Sequence, residues 1–287
     1  MTTKFELRSV TEAEFSVAVD WAKSEGWNPG LKDIEAFFRA DPDGFVMGFL
    51  DGRPISSISV VRYGDDYGFL GFYIVHEDFR SRGFGLRTWN YGLNHLEGRT
   101  IGLDGVVAQQ ENYSRSGFRL YGRNIRYSGQ AKPDVGRTLP SGIFPMRSQY
   151  LQALIDYDVA IFRDPREAFL TAWASWDPAD VRWTFVSMDT NRVKGYATIR
   201  LCFDGFKIGP LFADDEAVAQ RLFQACLTRV APGTNIVLDV PEESVLAVKL
   251  AESAGMVPVF ETARMYLGDV PKHPFERVYG ITTFELG

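Results

Sequence analysis

"FYIVHEDFRSRGFGLRTW", Phe72 to Trp89, runs from an apolar, β-branched stretch through a charged turn into a basic, glycine-containing segment. Leu86, Trp89, Leu93 and Leu96 then recur at helical spacing, so the stretch reads as strand, turn and helix, with the helix ending near Gly98. At the junction, Arg80 to Gly85 spell R-S-R-G-F-G. Successive backbone N–H groups at such a turn converge on an anion, and the helix N-terminus adds partial positive charge. Glycines remove the Cβ atoms that would hold a ligand away. The turn suits a pyrophosphate; as six letters it also suits an ordinary strand-to-helix connection. The pattern G-x-x-x-x-G-K-S/T is absent, and G-x-G-x-x-G begun at Gly83 meets Thr88 where its third glycine belongs, which disfavours nucleotide hydrolysis and dinucleotide binding.

Working upstream, a strand is expected near Phe5–Ser9, then a helix behind Thr11, with Glu14 placed for a capping box and Phe15, Val19 and Trp21 to Ala22 on its apolar face. A second short helix covers about Gly30 to Arg39. Two apolar runs flank Asp51–Gly52, a strong hairpin signal, and "YGFLGFYIV" supplies a third strand. Downstream come a buried strand at "TIGLDGVV", a short helix at "ENYSRSGF" and a strand to Tyr127. "QAKPDVGRTLPSGIF", Gln130 to Phe144, carries two prolines and little periodicity and reads as a linker.

The remainder resembles a divergent copy of the beginning. "TIGLD" at Thr100–Asp104 matches "NIVLD" at Asn235–Asp239, "SRSGF" ending at Phe118 matches "ESAGM" ending at Met256, and "RYSG" ending at Gly129 matches "MYLG" ending at Gly268. Hairpin strands around Asp189 to Arg192, the strand "DGFKIGPLF" and the helix "EAVAQRLFQACLTRV" repeat the same order. With 287 residues and 45% hydrophobic content, two domains of one fold are the economical reading: units 1–130 and 146–287 joined by a linker at 131–145.

A net charge of −6 argues against a nucleic-acid or anionic-membrane partner. Cys202 and Cys226 stand apart without the Cys/His spacing of a zinc site, so buried thiols and no metal are expected. No signal-peptide core or long apolar run occurs, and a soluble, cytoplasmic location is expected.

"FYIVHEDFRSRGFGLRTW" resembles motif A of the GNAT superfamily of N-acetyltransferases, whose signature Gln/Arg-x-x-Gly-x-Gly/Ala opens the helix after the fourth strand. Arg80, Gly83 and Gly85 fill its three defined places, and Tyr113 stands four residues before a Gly-Phe pair, as in the family. The whole chain resembles a bacterial tandem subgroup whose C-terminal half is degenerate. The resemblance implies an α/β (α+β) fold of two such domains, each a mixed, mostly antiparallel sheet flanked by helices. It further implies acetyl-CoA in the splay between the strand ending at Val75 and the strand through Leu103. The cofactor-binding residues would be Tyr73, Ile74, Val75, Arg80, Ser81, Arg82, Gly83, Phe84, Gly85 and Leu86, with the pyrophosphate on the amides of Arg82 to Leu86. An amine would attack the thioester directly, and Tyr113 would protonate the departing thiolate; a packing role for Tyr113 is the alternative.

The base is open. The fourth strand carries no carboxylate where many relatives have a glutamate; His76, Glu77 and Asp78 follow it in a turn, where a solvated loop is the plainer reading. Asp104 is another candidate, although its counterpart Asp239 in the copy favours a structural role for both. Acceptor contacts are assigned to Trp27 and Asn28 in "SEGWNPG", against the reading of a core tryptophan. Asp156, Asp158, Arg163 and Arg166 in "DYDVAIFRDPREAF" could hold an amino acid or form surface ion pairs.

In the copy, "ADDEAVA", Ala213 to Ala219, replaces the cradle with three acidic residues and no glycine, and Ala251 stands at the tyrosine's place. Carboxylates repel a pyrophosphate, so the second half is expected to complete an acceptor pocket or support the first. The expected activity is acetyl-CoA-dependent N-acetyl transfer to a small amine or amino acid. A protein amine acceptor, another acyl chain, and a non-catalytic acyl-CoA sensor or scaffold are the alternatives.

Overall fold

A computed structural model describes residues 4–132, 138–174, 181–190 and 192–287. The first ten elements are β1 (Phe5–Ser9), α1 (Glu12–Ser24), α2 (Asp33–Ala40), β2 (Phe45–Leu50), β3 (Arg53–Tyr63), β4 (Tyr67–Val75), α3 (Phe84–His95), β5 (Thr100–Val106), α4 (Gln110–Arg115) and β6 (Arg119–Gln130). The same order returns in β7 (Ile143–Pro145), α5 (Leu151–Phe162), α6 (Glu167–Trp173), β8 (Arg182–Asp189), β9 (Arg192–Leu201), β10 (Phe206–Ala213), α7 (Glu216–Leu227), β11 (Asn235–Pro241), α8 (Val245–Ser253) and β12 (Val257–Leu267), and a further strand, β13 (Val278–Gly280), follows.

Local chemistry explains the boundaries. The Thr11 side chain accepts from the Glu14 N–H while Glu14 reaches back to the Thr11 N–H, closing the capping box that starts α1. Asp51 and Gly52, at φ 49° and 83°, form the left-handed turn between β2 and β3. Along β2, Phe45 and Met47 enter a core that also contains residues of α1, α2, α5 and α6, whereas Val46 joins Ile58, Val60 and Trp89 on the side of α3. Period-two alternation thus buries both sheet faces, the helices forming layers on either side.

All the strands belong to one sheet, in the order β1-β2-β3-β4-β5-β12-β6-β11-β10-β9-β8-β7, with β13 beside β10. The halves exchange their last strands: β12 pairs antiparallel with β5 and with β6, and β6 pairs antiparallel with β11. Phe37 of α2 stacks on Trp173 of α6, with centroids 5.9 Å apart, so the helices of the two halves share a core as well. Residues 133–137 of the expected linker lie outside the described residues. Its end is β7, which pairs with β8 as β1 does with β2.

Among the described residues no helix is long and apolar enough to cross a membrane.

Candidate active site

Parallel pairing between β4 and β5 covers only Tyr67–Leu70 against Thr100–Leu103. Beyond that point β4 bulges: Gly71 still faces Ser59 of β3, but the next partners are Ile74 and Ser57, leaving Phe72 and Tyr73 at the irregularity. Phe72 has φ 44°, and its carbonyl accepts from Ser57 Oγ at 2.8 Å. The strands separate around a cleft of about 560 Å³. Tyr73, Ile74, Val75, Arg80, Ser81, Gly83, Gly85 and Leu86 line it, so the motif and the strand end border the same cleft.

Arg82 and Phe84 are not among the lining residues: Phe84 packs on Phe5, with centroids 4.9 Å apart, and the Arg82 guanidinium lies over the Phe79 and Phe84 rings. Arg80 holds the turn to its surroundings. Its Nε donates to the Val75 carbonyl at 2.9 Å and its Nη2 to the Glu25 carboxylate at the end of α1.

At the start of α3, Gly83 occupies the N-cap at φ 82° with no side-chain cap, so no capping side chain satisfies the first amides of the helix. A Cβ on Gly85 would lie 2.8 Å from Tyr73 Oη and 3.1 Å from Val75 Cγ2; only glycine lets the helix approach the strand this closely. The copy is built oppositely. Asp215 caps α7, accepting from the Val218 N–H at 2.8 Å, so a carboxylate of the chain takes the place of an anionic ligand. Its cleft is also filled. β10 and β11 pair over Phe206–Ile208 and Ile236–Leu238, after which β13 adds to β10 and the Ile281 N–H donates to the Asp239 carbonyl.

Tyr113 lines the open cleft from α4, its ring stacked on Trp89 at 5.4 Å while Tyr73 meets Trp89 edge-on at 5.1 Å. Burial, and secondarily Tyr73, pushes the Tyr113 hydroxyl well above the ordinary tyrosine range. Burial likewise raises Tyr73 to about 12. Both rings therefore keep their protons at neutral pH.

The acceptor residues separate. Trp27 lines the cleft, whereas Asn28 is absent from its lining and exchanges hydrogen bonds with the Asp204 backbone at 2.8 and 2.9 Å, tying α1's loop to the second half. Among the base candidates, His76, Glu77 and Asp78 do not line the cleft. His76 Nδ1 accepts from the Asp78 N–H in a surface turn, and Asp78 pairs with Arg53 at 3.5 Å.

Asp104 does line the cleft, but it accepts from Arg264 Nε at 2.8 Å and Nη2 at 2.6 Å, and from Asn124 at 2.7 Å. Asp239 is held in the same way by Arg126, at 2.7 and 2.8 Å. In each case the partner stands directly opposite on an exchanged strand, so both aspartates are structural, as their repetition indicated. Asp158 and Arg166 form a fully buried bidentate pair rather than a surface cluster, while Asp156 is exposed and Arg163 meets Asp66 at 3.4 Å. That group does not assemble an amino-acid site.

Several lining residues carried no sequence signal: Glu25, Gln109, Asn112, Phe260, Thr262, Phe284 and Glu285. The last four reach the cleft only because β12 is exchanged and the C-terminal segment runs from β13 against β4. There the carbonyl of Glu285 would stand 2.2 Å from a Cβ at Gly71. Nothing in the periodicity of "ITTFELG" announces a route across the other half. Among the described residues, no group of three or more His, Cys, Asp or Glu side chains is arranged to hold a metal ion, and both cysteines are buried thiols raised by burial.

Comparison with known proteins agrees with this architecture. A family model described as "Acetyltransferase (GNAT) family" matches residues 7–122, and one described as "Acetyltransferase (GNAT) domain" matches residues 154–280. A holothin acyltransferase from a Pseudoalteromonas species is 34% identical over 274 residues, spanning 96% of this chain and 92% of that protein. Among solved structures, a GCN5-related N-acetyltransferase from Sphaerobacter thermophilus aligns with a TM-score of 0.62 at 16% identity, covering 98% of both chains. A tandem GNAT protein from the clavulanic acid biosynthesis pathway aligns with a TM-score of 0.63 at 12% identity, over 93% of this chain and all of that one (100%). The identity and coverage of the acyltransferase relative, together with a family match to each half, place this chain in the GNAT acetyltransferase family as a tandem-domain acyltransferase.

Proposed function

We propose that the protein transfers an acetyl group from acetyl-CoA to the amine of a small molecule by direct attack in a ternary complex. In this reading unit 1–130 is catalytic and unit 146–287 is a non-catalytic partner that completes the acceptor pocket. The carrying observation is the contrast between the copies: an open cleft beside an uncapped, glycine-led helix in the first, and a filled cleft beside a helix capped by Asp215 in the second.

The co-substrate supplies a thioester activated for acyl transfer. The amides opening α3 would receive its pyrophosphate, Arg80 fixing the turn from behind. The β4 edge from Gly71 to Val75, no longer paired with β5, leaves backbone groups to align the acyl arm and to polarise its carbonyl. Tyr113, protonated at neutral pH, is the donor for the leaving sulfur. A small acceptor is favoured by the aromatic walls: Trp27, Phe72, Phe260 and Phe284 surround the remaining side of the cleft, a setting for a flat, apolar amine. The related protein named for holothin acylation supports the same class.

Thermal unfolding with and without acetyl-CoA tests the co-substrate, since ligand at 100 times its Kd adds about 2.7 kcal/mol. Absence of a shift at millimolar acetyl-CoA would remove it. Thiol release across a panel of aromatic and aliphatic amines, with peptides alongside, tests the acceptor class. Turnover of peptides alone would overturn the small-molecule reading.

A further inference from the structure

We propose that Glu285, delivered by the C-terminal segment of the second half, is the carboxylate that receives the acceptor's nitrogen and takes its proton. The assignment rests on the acyltransferase reading of the cleft. Among the described residues three carboxylates line that cleft, and two are occupied: Glu25 by Arg80, and Asp104 by Arg264 and Asn124. Glu285 lines the cleft, is 4% exposed, and its carboxylate accepts no hydrogen bond from any described residue. Its backbone is locked where it is needed. The Glu285 and Leu286 N–H groups both donate to Thr283 Oγ1, and Tyr63 Oη donates to the Leu286 carbonyl at 3.0 Å. Gly71, where β4 starts to bulge, has no side chain to keep this segment off the strand.

Basic side chains surround the group. Arg126 on β6, Arg200 on β9 and Lys207 on β10 lie within electrostatic reach of Glu285. Arg126 is already paired with Asp239 of β11, and Arg200 with Asp33 of α2. Lys207 feels both Asp239 and Glu285, and Glu285 is the carboxylate of this cluster that also lines the cleft, where Phe284 and Phe260 beside it would hold the acceptor's apolar body. In the reaction Glu285 accepts one proton from the ammonium, and the freed lone pair forms the N–C bond to the thioester carbonyl. The C–S bond breaks with its electrons on sulfur, the thiolate takes the Tyr113 proton, and the second proton lost by nitrogen returns Tyr113 to its neutral form.

Glu285→Gln and Glu285→Asp, assayed with acetyl-CoA and the fastest amine of an arylalkylamine panel, test the assignment. Glu285→Gln is expected to lower kcat by about 10²–10⁴-fold, the usual weight of a general base. It should also raise the amine KM, leave the acetyl-CoA Kd unchanged, and abolish the acidic limb in the pH dependence of kcat. Glu285→Asp keeps the charge and shortens the reach: turnover should fall while the acidic limb survives. A counter-ion role for Lys207 alone would leave the Asp variant at wild-type kcat, and that result, or a Gln variant with wild-type kcat and pH profile, overturns the assignment. Wild-type protein that binds acetyl-CoA but releases no thiol with any amine overturns the small-amine reading and the assignment with it. Failure to bind acetyl-CoA places the error in the co-substrate instead.

Discussion

An alanine at position 105 would put its β-carbon 2.2 Å from Cε2 of Tyr113, so the glycine of β5 is what lets the tyrosine ring settle against the strand and stack on Trp89. Gly105→Ala is therefore expected to turn Tyr113 away from the cleft and lower kcat while the acetyl-CoA Kd stays within about twofold, as measured by steady-state thiol release and calorimetry. Tyr113→Phe keeps the packing and removes the proton, and should depress kcat by about 10²-fold or more. Undiminished turnover would return Tyr113 to a packing role. The sign of its pH dependence follows from burial: a hydroxyl raised well above its usual range stays protonated, so Tyr113 contributes no alkaline limb below about pH 10, the unperturbed tyrosine value. At this scale the sequence marked Gly83, Gly85 and Tyr113 as candidates because their spacing is local, and all three line the cleft. Glu285 was invisible, since its place depends on contacts with β4 more than two hundred positions earlier in the chain.

The helices α3 and α7 are the same element tuned in opposite directions. Gly83 leaves the amides of α3 open, and Gly85→Val would drive a branched side chain into Tyr73 and Val75 and should weaken acetyl-CoA binding at least tenfold, read as loss of the thermal shift. Asp215 satisfies α7 from within. Asp215→Ala should cost about 0.5–2 kcal/mol of stability in denaturant unfolding, the usual weight of a cap. It should not create a second acetyl-CoA site, because β13 still fills the gap between β10 and β11. The acidic, glycine-free "ADDEAVA" foretold the closed turn directly. The filling strand did not show, because "VYG" is a short apolar triplet whose partner is chosen by the geometry of the sheet.

The exchange of β6 and β12 makes one sheet of two copies, held at two related points by Asp104–Arg264 and Asp239–Arg126. The repeat and the order of elements were legible because each copy carries its own periodicity. The exchange was not, because β6 and β12 have the same alternation whichever copy they join. Breaking a buried pair leaves an uncompensated charge, so Asp239→Asn should cost about 3–5 kcal/mol, and both halves should unfold in one transition in urea. Burial opposes ionisation of Asp239, but Arg126 with its hydrogen bonds prevails and holds the group below its ordinary value. That contribution is fully present above the unfolded aspartate value of about 3.9 and is lost as the pH falls below it. Wild-type and Asp239→Asn proteins should converge in stability only at the acid end.

The two copies of one fold thus differ at the strand splay, open in the first and filled in the second, and a C-terminal segment runs from the filled splay to the wall of the open one. Titration calorimetry with acetyl-CoA tests this most directly. The account predicts one molecule bound per chain, with binding lost in Gly85→Val and retained in Asp215→Ala; two molecules per chain, or none, would contradict it.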